Sequence, residues 1–423
     1  MEGVTVLVGQ GLYMAVAALA GLVLARVLRT DNTLGCLIAG VGAGILLPVI
    51  DFDTGIRADN MQQLVFFVIL PVLIFEAAWR IKPALLKRWL GPIVLLATLG
   101  MVITALLTGV LLYYGIDHPG FPWIAAFLTG AILAATDPVA VINKLRQTDA
   151  DEELLTLVEG ESLFNDAAAI VLFSLVLGVA SHSVMEGAAS TGEPLAGAGA
   201  IALYFVVIFF GGLALGLLCG LVTAIVVLFL RSAGAALVAL VLSAFGTFYL
   251  AEHVLHVSGI LAVMTCAIVA RACLREQEKT YLADAGSTWE WLALLFTALV
   301  FVIMGLVITP AMFTQQWLAM VMAIAGAVGA RALAIFLVAP LSGYVGPPIP
   351  KPWRVVLSWG GLRGVIALAL VLALPTELPY WYTVQSMVFG VVLFSLLVQG
   401  TTSRFLINKI SAAEAAEKAR ARE

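Results

Sequence analysis

The chain is 423 residues long, 62% of them hydrophobic and 11% charged, with a formal net charge of −4. Soluble domains run at roughly 45–50% apolar and 25% charged, so a soluble fold is excluded and nothing points to a nucleic-acid partner. Alternating β-barrel patterning is also absent, which leaves an all-α polytopic membrane protein.

A helical span needs about 20 mostly apolar residues. By that measure thirteen spans are expected, over about 4–25, 33–50, 62–79, 91–115, 121–145, 156–180, 200–230, 233–251, 257–273, 290–312, 316–344, 355–374 and 383–408. On this division 19 of the 22 Lys and Arg residues fall on one side, only Arg57 falls on the other, and Arg331 and Arg363 lie inside spans. Basic residues accumulate in cytoplasmic loops, so the N-terminus is expected outside and the C-terminus in the cytoplasm. The first span has no basic n-region or cleavage site and reads as a retained helix. Cys36, Cys219, Cys266 and Cys273 lie in or at the ends of apolar spans, with no metal-ligand spacing.

Spans one and two are rich in glycine (Gly21, Gly35, Gly40, Gly42, Gly44), which suits close helix packing in a membrane or an oligomer contact. The third span carries Pro71 and then Glu76 near its cytoplasmic end. Glu76 is a candidate ion-site acid, although Arg80, four residues on, is also placed to pair with it.

Span five contains Thr136-Asp137-Pro138. Pro138 cannot donate to Ala134 and disfavours helical backbone at Asp137, so the helix should break here. Asp137 and Pro138 suit the N-cap and N1 positions of a new half-helix. A span interrupted in mid-membrane, with an acid and free carbonyls at the break, marks ion sites in transporters.

Span six opens on Glu159-Gly160-Glu161-Ser162-Leu163-Phe164-Asn165-Asp166 and continues as an apolar run. Ser162 and Asp166 share one helical face; Glu161 and Asn165 share the adjacent one and should form a hydrogen-bonded pair. Glu152, Glu153 and Glu159 are accounted for by the positive end of the helix dipole. Asp166 lies about two turns in, where buried charge is costly and reads as functional.

A polar outside loop, 181–199, and a long apolar run, 200–230, follow. The cytoplasmic segment 271–289 reads as interfacial, Trp289 and Trp291 as an aromatic belt, and Glu290 as a simple cap. Arg331 has no assignable partner. Span twelve, Gly360-Gly361-Leu362-Arg363-Gly364, is glycine-dense enough to break a second time. Spans one to six and eight to thirteen would then be two inverted six-helix repeats, with the broken spans five and twelve crossing. Arg363 is expected to pair with Glu161, because an unpaired buried arginine is costly.

Thr136-Asp137-Pro138, Glu161-Ser162-Leu163-Phe164-Asn165-Asp166 and Gly360-Gly361-Leu362-Arg363-Gly364, in that order, resemble the monovalent cation/proton antiporters, specifically the electroneutral branch of NhaP-type and eukaryotic sodium/proton exchangers. The resemblance covers almost the whole chain. It implies a single transmembrane unit over 1–410, with a core domain (approximately 91–180 and 316–408), a dimerisation domain (approximately 1–79 and 200–273), a homodimer in lipid, and a short cytoplasmic tail, 411–423. It further implies that Asp166 binds cation and proton in turn. Asp137, the Thr136 backbone and Ser162 would be supporting Na+ ligands, and Glu76 a looser fifth. Asn165, Glu161 and Arg363 would brace the core. Asn165 stands where the electrogenic branch has a second Asp. The long regulatory tail of the animal exchangers is missing, which favours a prokaryotic cytoplasmic membrane.

The expected activity is therefore exchange of Na+ for H+ in pH homeostasis, with Li+ or K+ as open alternatives. No enzyme chemistry and no cofactor beyond the transported ions are expected. One carboxylate that holds either ion but not both makes exchange obligatory, and an amide at 165 fits an electroneutral 1:1 cycle. Two other classes are open to test. An intramembrane aspartyl protease could use Asp137 and Asp166 as a dyad, but a Gly-x-Gly-Asp motif is absent; a cation channel would want rings of carbonyls or charges that the sequence does not offer.

Overall fold

The computed structural model describes residues 2–49, 64–117, 120–148, 150–186, 198–274, 282, 285–403 and 405–408. Arg57, the tail 411–423, most of the expected outside loop and the middle of the expected interfacial segment lie outside the described residues.

Each of the thirteen expected segments coincides with a helix or an interrupted helix. In chain order these are α1 (Glu2–Leu28), α2 (Asn32–Val49), α3 (Leu70–Arg80, preceded by a π-turn Val65–Ile69), α4 (Pro83–Leu95) running through a π-turn into α5 (Met101–Gly115), α6 (Trp123–Ala134) and α7 (Val139–Gln147). Then come α8 (Glu152–Glu186), α9 (Ala198–Leu230), α10 (Ala233–Tyr249), α11 (Gly259–Cys273), α12 (Ala285–Val307), α13 (Pro310–Gln315) and α14 (Trp317–Val338). The chain ends its described part with α15 (Lys351–Trp359), α16 (Val365–Leu372) and α17 (Trp381–Phe394), the last followed by a π-turn Ser395–Gln399.

Local chemistry sets the ends. Pro83 occupies the first turn of α4, where its missing N–H costs nothing. Asp151 precedes α8 and its carboxylate accepts the Glu153 N–H at 2.9 Å, with Glu152 and Glu153 in the first turn, where the helix dipole favours acids. Among the described residues, eight helices or helix runs are long and apolar enough to cross a bilayer, with Asn32–Leu46, Trp123–Ala134 and Gly259–Cys273 as shorter apolar helices.

The chain divides into two compact units. The first comprises Met1–Arg80, Ala198–Gln315 and Leu368–Pro375. In it α2 packs on α1 and α12, and α11 packs on α9, α10 and α3. Backbones approach closely at glycines: Gly21 faces Cys36, and Gly40 faces Val302 and Gly305. Gly21, Gly35, Gly40 and Gly44 thus serve packing inside this unit, whereas a Cβ at Gly42 would meet nothing within 4 Å. Trp289, expected in an interfacial belt, is instead buried and stacks on Phe75 at 4.4 Å, whereas Trp291 is exposed.

The second unit comprises Ile81–Gly197, Gln316–Ala367 and Thr376–Glu423. Here α5, α6, α14 and α17 pack together, and α8 lies on α4, α6 and α7. Met101, Ala105, Ala134 and Ala168 form a buried apolar cluster with Leu172 beside it. These small side chains let α5, α6 and α8 come close, the packing mode that stabilises helices where lipid is as apolar as the interface.

Candidate ion site at two crossing helix breaks

The second unit contains both helix breaks. The first break falls at residues 135–138, between α6 and α7; the second falls at 360–364, between α15 and α16. They meet. The Asp137 N–H donates to the Leu362 carbonyl oxygen at 2.8 Å, and a side chain at Gly364 would run into the Asp137 carboxylate, so only glycine fits there.

Charge and helix ends are matched at the crossing. The Asp137 carboxylate accepts the Val139 N–H at 3.1 Å, and the N-cap of α7 is Pro138, one residue later than its sequence context predicts. Arg363 takes the opposite pole: its Nε donates at 2.7 Å to the Leu133 carbonyl near the end of α6, where the dipole favours a cation. Its guanidinium also donates to Ala327 O at 3.1 Å and to Gly361 O.

The face of α8 fits against the first break. Asp166 accepts the Thr136 N–H at 3.0 Å. Ser162 Oγ donates to the Thr136 carbonyl oxygen. Asn165 Nδ2 donates to Ala134 O at 3.0 Å and to Thr136 Oγ1 at 3.1 Å. Asp166 is 9% exposed, while Ser162, Asn165 and Thr136 are buried more deeply. Asp137, Thr136, Ser162 and Asp166 are thus brought together, offering two carboxylates, a hydroxyl and a carbonyl. Hard oxygen donors of this kind suit a hard cation.

Two expectations for the brace are corrected. Glu161 pairs with Arg331 and not with Arg363, through two hydrogen bonds of 2.8 Å on groups that are each 2% exposed. Arg331 is placed by α14, and its planar fork matches both carboxylate oxygens. Arg363 has no need of a carboxylate, because the helix ends at the crossing give it carbonyl acceptors. Nor does Asn165 bond to Glu161; the break in α6 frees Ala134 O, and Asn165 takes that carbonyl.

Glu76 belongs to the first unit, where it is buried and ion-paired with Arg80. Arg80 also reaches Glu290 at 3.4 Å, so Glu290 is an ion-pair partner and not the expected cap: α12 starts at Ala285 and has no acid in its first turn. In the second unit α8 is tied at its start by Lys82–Glu152 at 2.7 Å and Arg88–Glu153, and Arg146 of α7 holds Glu159 at 2.8 Å. Such partly exposed pairs contribute little energy each, about 0–1 kcal/mol, and serve to fix register.

Sequence reasoning missed Arg331 as the partner of Glu161 and missed Arg146. The available signal was the count of intramembrane charges: with a single acid in need of a cation, Arg331 was as eligible as Arg363.

An all-helical membrane protein with two interrupted helices crossing beside a buried carboxylate has the build of a secondary ion transporter, not of an enzyme. A family model for the transmembrane part of sodium/hydrogen exchangers matches residues 14–409. The Na+/H+ antiporter ApNhaP of Aphanothece halophytica is 34% identical over 84% of this chain and 66% of the relative. The Na+/H+ antiporter NhaH of Halobacillus aidingensis is 29% identical over 96% of this chain and 98% of its own length. The solved sodium proton antiporter MjNhaP1 of Methanocaldococcus jannaschii shares the fold, with a TM-score of 0.79 at 21% identity over 97% of this chain and all of that one. The chain belongs to the sodium/hydrogen exchanger family.

Proposed function

We propose that this chain exchanges Na+ for H+ across the membrane, with both ions competing for Asp166. The observation that carries the reading is the meeting of Asp166 with the first break: its carboxylate takes the Thr136 N–H, one residue before Asp137, while Ser162 engages the Thr136 carbonyl. Asp137, Ser162 and the Thr136 carbonyl are the supporting Na+ ligands. Glu76 enters separately, as an acid of the first unit that binds cation or proton only when Arg80 releases it.

The cycle is electroneutral, one Na+ for one H+, because the position beside Asp166 is an amide already committed to two acceptors. The exchanger works in pH homeostasis as a homodimer in a prokaryotic cytoplasmic membrane, its C-terminus inside. In that dimer the segments 1–79 and 200–273 supply the dimerisation domain, and 91–180 with 316–408 the core. The supports are the distribution of Lys and Arg and the family to which the chain belongs.

Purified protein in liposomes tests the activity. Added Na+ should drive protons in the opposite direction, and Li+ and K+ in the same assay set the selectivity. Sodium that equilibrates without moving protons would indicate a channel, and cleavage of a membrane peptide without ion movement would indicate a protease.

A further inference from the structure

The second break exposes backbone groups in an apolar setting, and their partners come from a part of the chain that neither the motifs nor the proposed ion ligands include. Arg363 N–H donates to Ser395 Oγ at 3.1 Å. Ser395 Oγ itself donates to Gln399 Oε1 at 2.9 Å, and Gln399 Nε2 donates to the Trp359 carbonyl oxygen at 3.2 Å. Trp359 Nε1 in turn donates to Thr402 Oγ1 at 3.1 Å. Ser395 and Gln399 are buried, at 1% and 2% exposure, so these bonds have no ready substitute in water.

Chain geometry makes the relay fit. Trp359 ends α15 and Arg363 precedes α16, so one needs a donor for its carbonyl and the other an acceptor for its N–H. Ser395 and Gln399 are the first and last residues of a π-helical turn, a form that often marks functional positions within helices. A hydroxyl and an amide, each able to donate and accept, close the loop without adding charge.

We infer that Ser395 and Gln399 are positioning residues for the cation site. By holding both ends of 359–363, they keep the Leu362 carbonyl on the Asp137 N–H and Gly364 against the Asp137 carboxylate. The inference rests on the proposed Asp166–Asp137 site, and names what sets the geometry of its second wall. Nothing in the relay touches the cation or carries a proton across the membrane.

The test is Na+-driven proton movement in proteoliposomes, with half-saturating Na+ and maximal rate measured separately for Gln399→Met, Ser395→Ala and Ser395→Thr. Removing a neutral buried hydrogen bond at a site support should raise half-saturating Na+ about fivefold or more, with maximal rate and melting temperature changed far less. Ser395→Thr keeps the hydroxyl and should return towards the parent value. Ser395→Ala is the smaller change and decides the matter if Gln399→Met does not reach the membrane. Parent-like Na+ dependence in Gln399→Met and Ser395→Ala, or a loss confined to melting temperature, overturns the inference. Asp166→Asn in the same assay separates the two readings: if it still exchanges, the ion site itself is misassigned; if it is inactive while the relay variants behave as the parent, only the positioning role fails.

Discussion

Asp137 and Leu362 are joined backbone to backbone, the N–H of one on the carbonyl of the other at 2.8 Å. That bond ties the two helix breaks into one structure, so whatever moves the second break moves the acid of the first. If Asp137 is the cation ligand proposed above, residues that never touch the ion would adjust it through this bond.

Gly364 is the sharpest probe of that coupling, since any Cβ there meets the Asp137 carboxylate. Overpacking a close-packed site typically costs about 1–3 kcal/mol, so Gly364→Ala should weaken Na+ affinity by roughly 5- to 150-fold. Sodium titrations of exchange in proteoliposomes measure this directly, and a parent-like half-saturation would mean that the contact does not bear on the ion.

The two intramembrane arginines should separate by phenotype. Arg331 forms a buried, doubly hydrogen-bonded pair with Glu161, and removing one partner of such a pair costs about 3–5 kcal/mol. Arg331→Ala should therefore lower the melting temperature in detergent strongly. The Na+ affinity of whatever protein folds should change little, and replacing both partners by Met and Leu should recover much of the stability.

Arg363 sits at the crossing itself, its hydrogen bonds going to carbonyls on three segments. Lysine keeps the charge but not the planar fork, so Arg363→Lys should lower Na+ affinity as well as stability. An Arg363→Lys protein with parent-like affinity and reduced melting temperature would move Arg363 into the same class as Arg331.

Much of this was legible in the sequence, and the failures share a cause. Pro138 after Asp137 and three glycines around Arg363 announced both breaks, because proline and glycine act on their own backbone. The facing of Ser162 and Asp166 followed from helical period alone. What could not be read was partner choice across the fold. Glu161 chooses Arg331, 170 residues away in sequence, Asn165 chooses the carbonyl of Ala134, and Ser395 with Gln399 holds the second break. Each depends on which helices become neighbours, and local pattern carries no record of that. Trp289 failed for the same reason, since an aromatic near a span end looks alike whether it meets lipid or Phe75.

Asn165 carries the expectation about voltage. It cannot titrate, so in the proposed cycle Na+ replacing H+ at Asp166 would move no net charge, whereas one unbalanced charge would be worth about 2.3 kcal/mol per 100 mV. In liposomes with fixed Na+ and pH gradients, clamping the potential with K+ and valinomycin should leave the final pH difference unchanged, once K+ is shown not to be a substrate. A final pH difference that follows the clamp would mean that a second acid, Asp137 or Glu76, carries another proton.

The proposed competition at a single carboxylate also fixes the sign of the pH effect. If protons exclude Na+ from Asp166, half-saturating Na+ should rise as pH falls, while the maximal rate at saturating Na+ stays nearly constant over the same range. Rate curves collected across pH that change only in maximum, with constant half-saturation, would place the titrating group away from the ion.

Proton release on Na+ binding addresses the shared site most directly. Na+ is titrated calorimetrically into purified protein, at a pH where the site is protonated, in two buffers of different ionisation enthalpy, for the parent and for Asp166→Asn. The account predicts a single proton released for each Na+ bound by the parent, and neither Na+ binding nor proton release in a folded Asp166→Asn protein. Sodium binding by the parent without proton release, or unchanged release in Asp166→Asn, would contradict it.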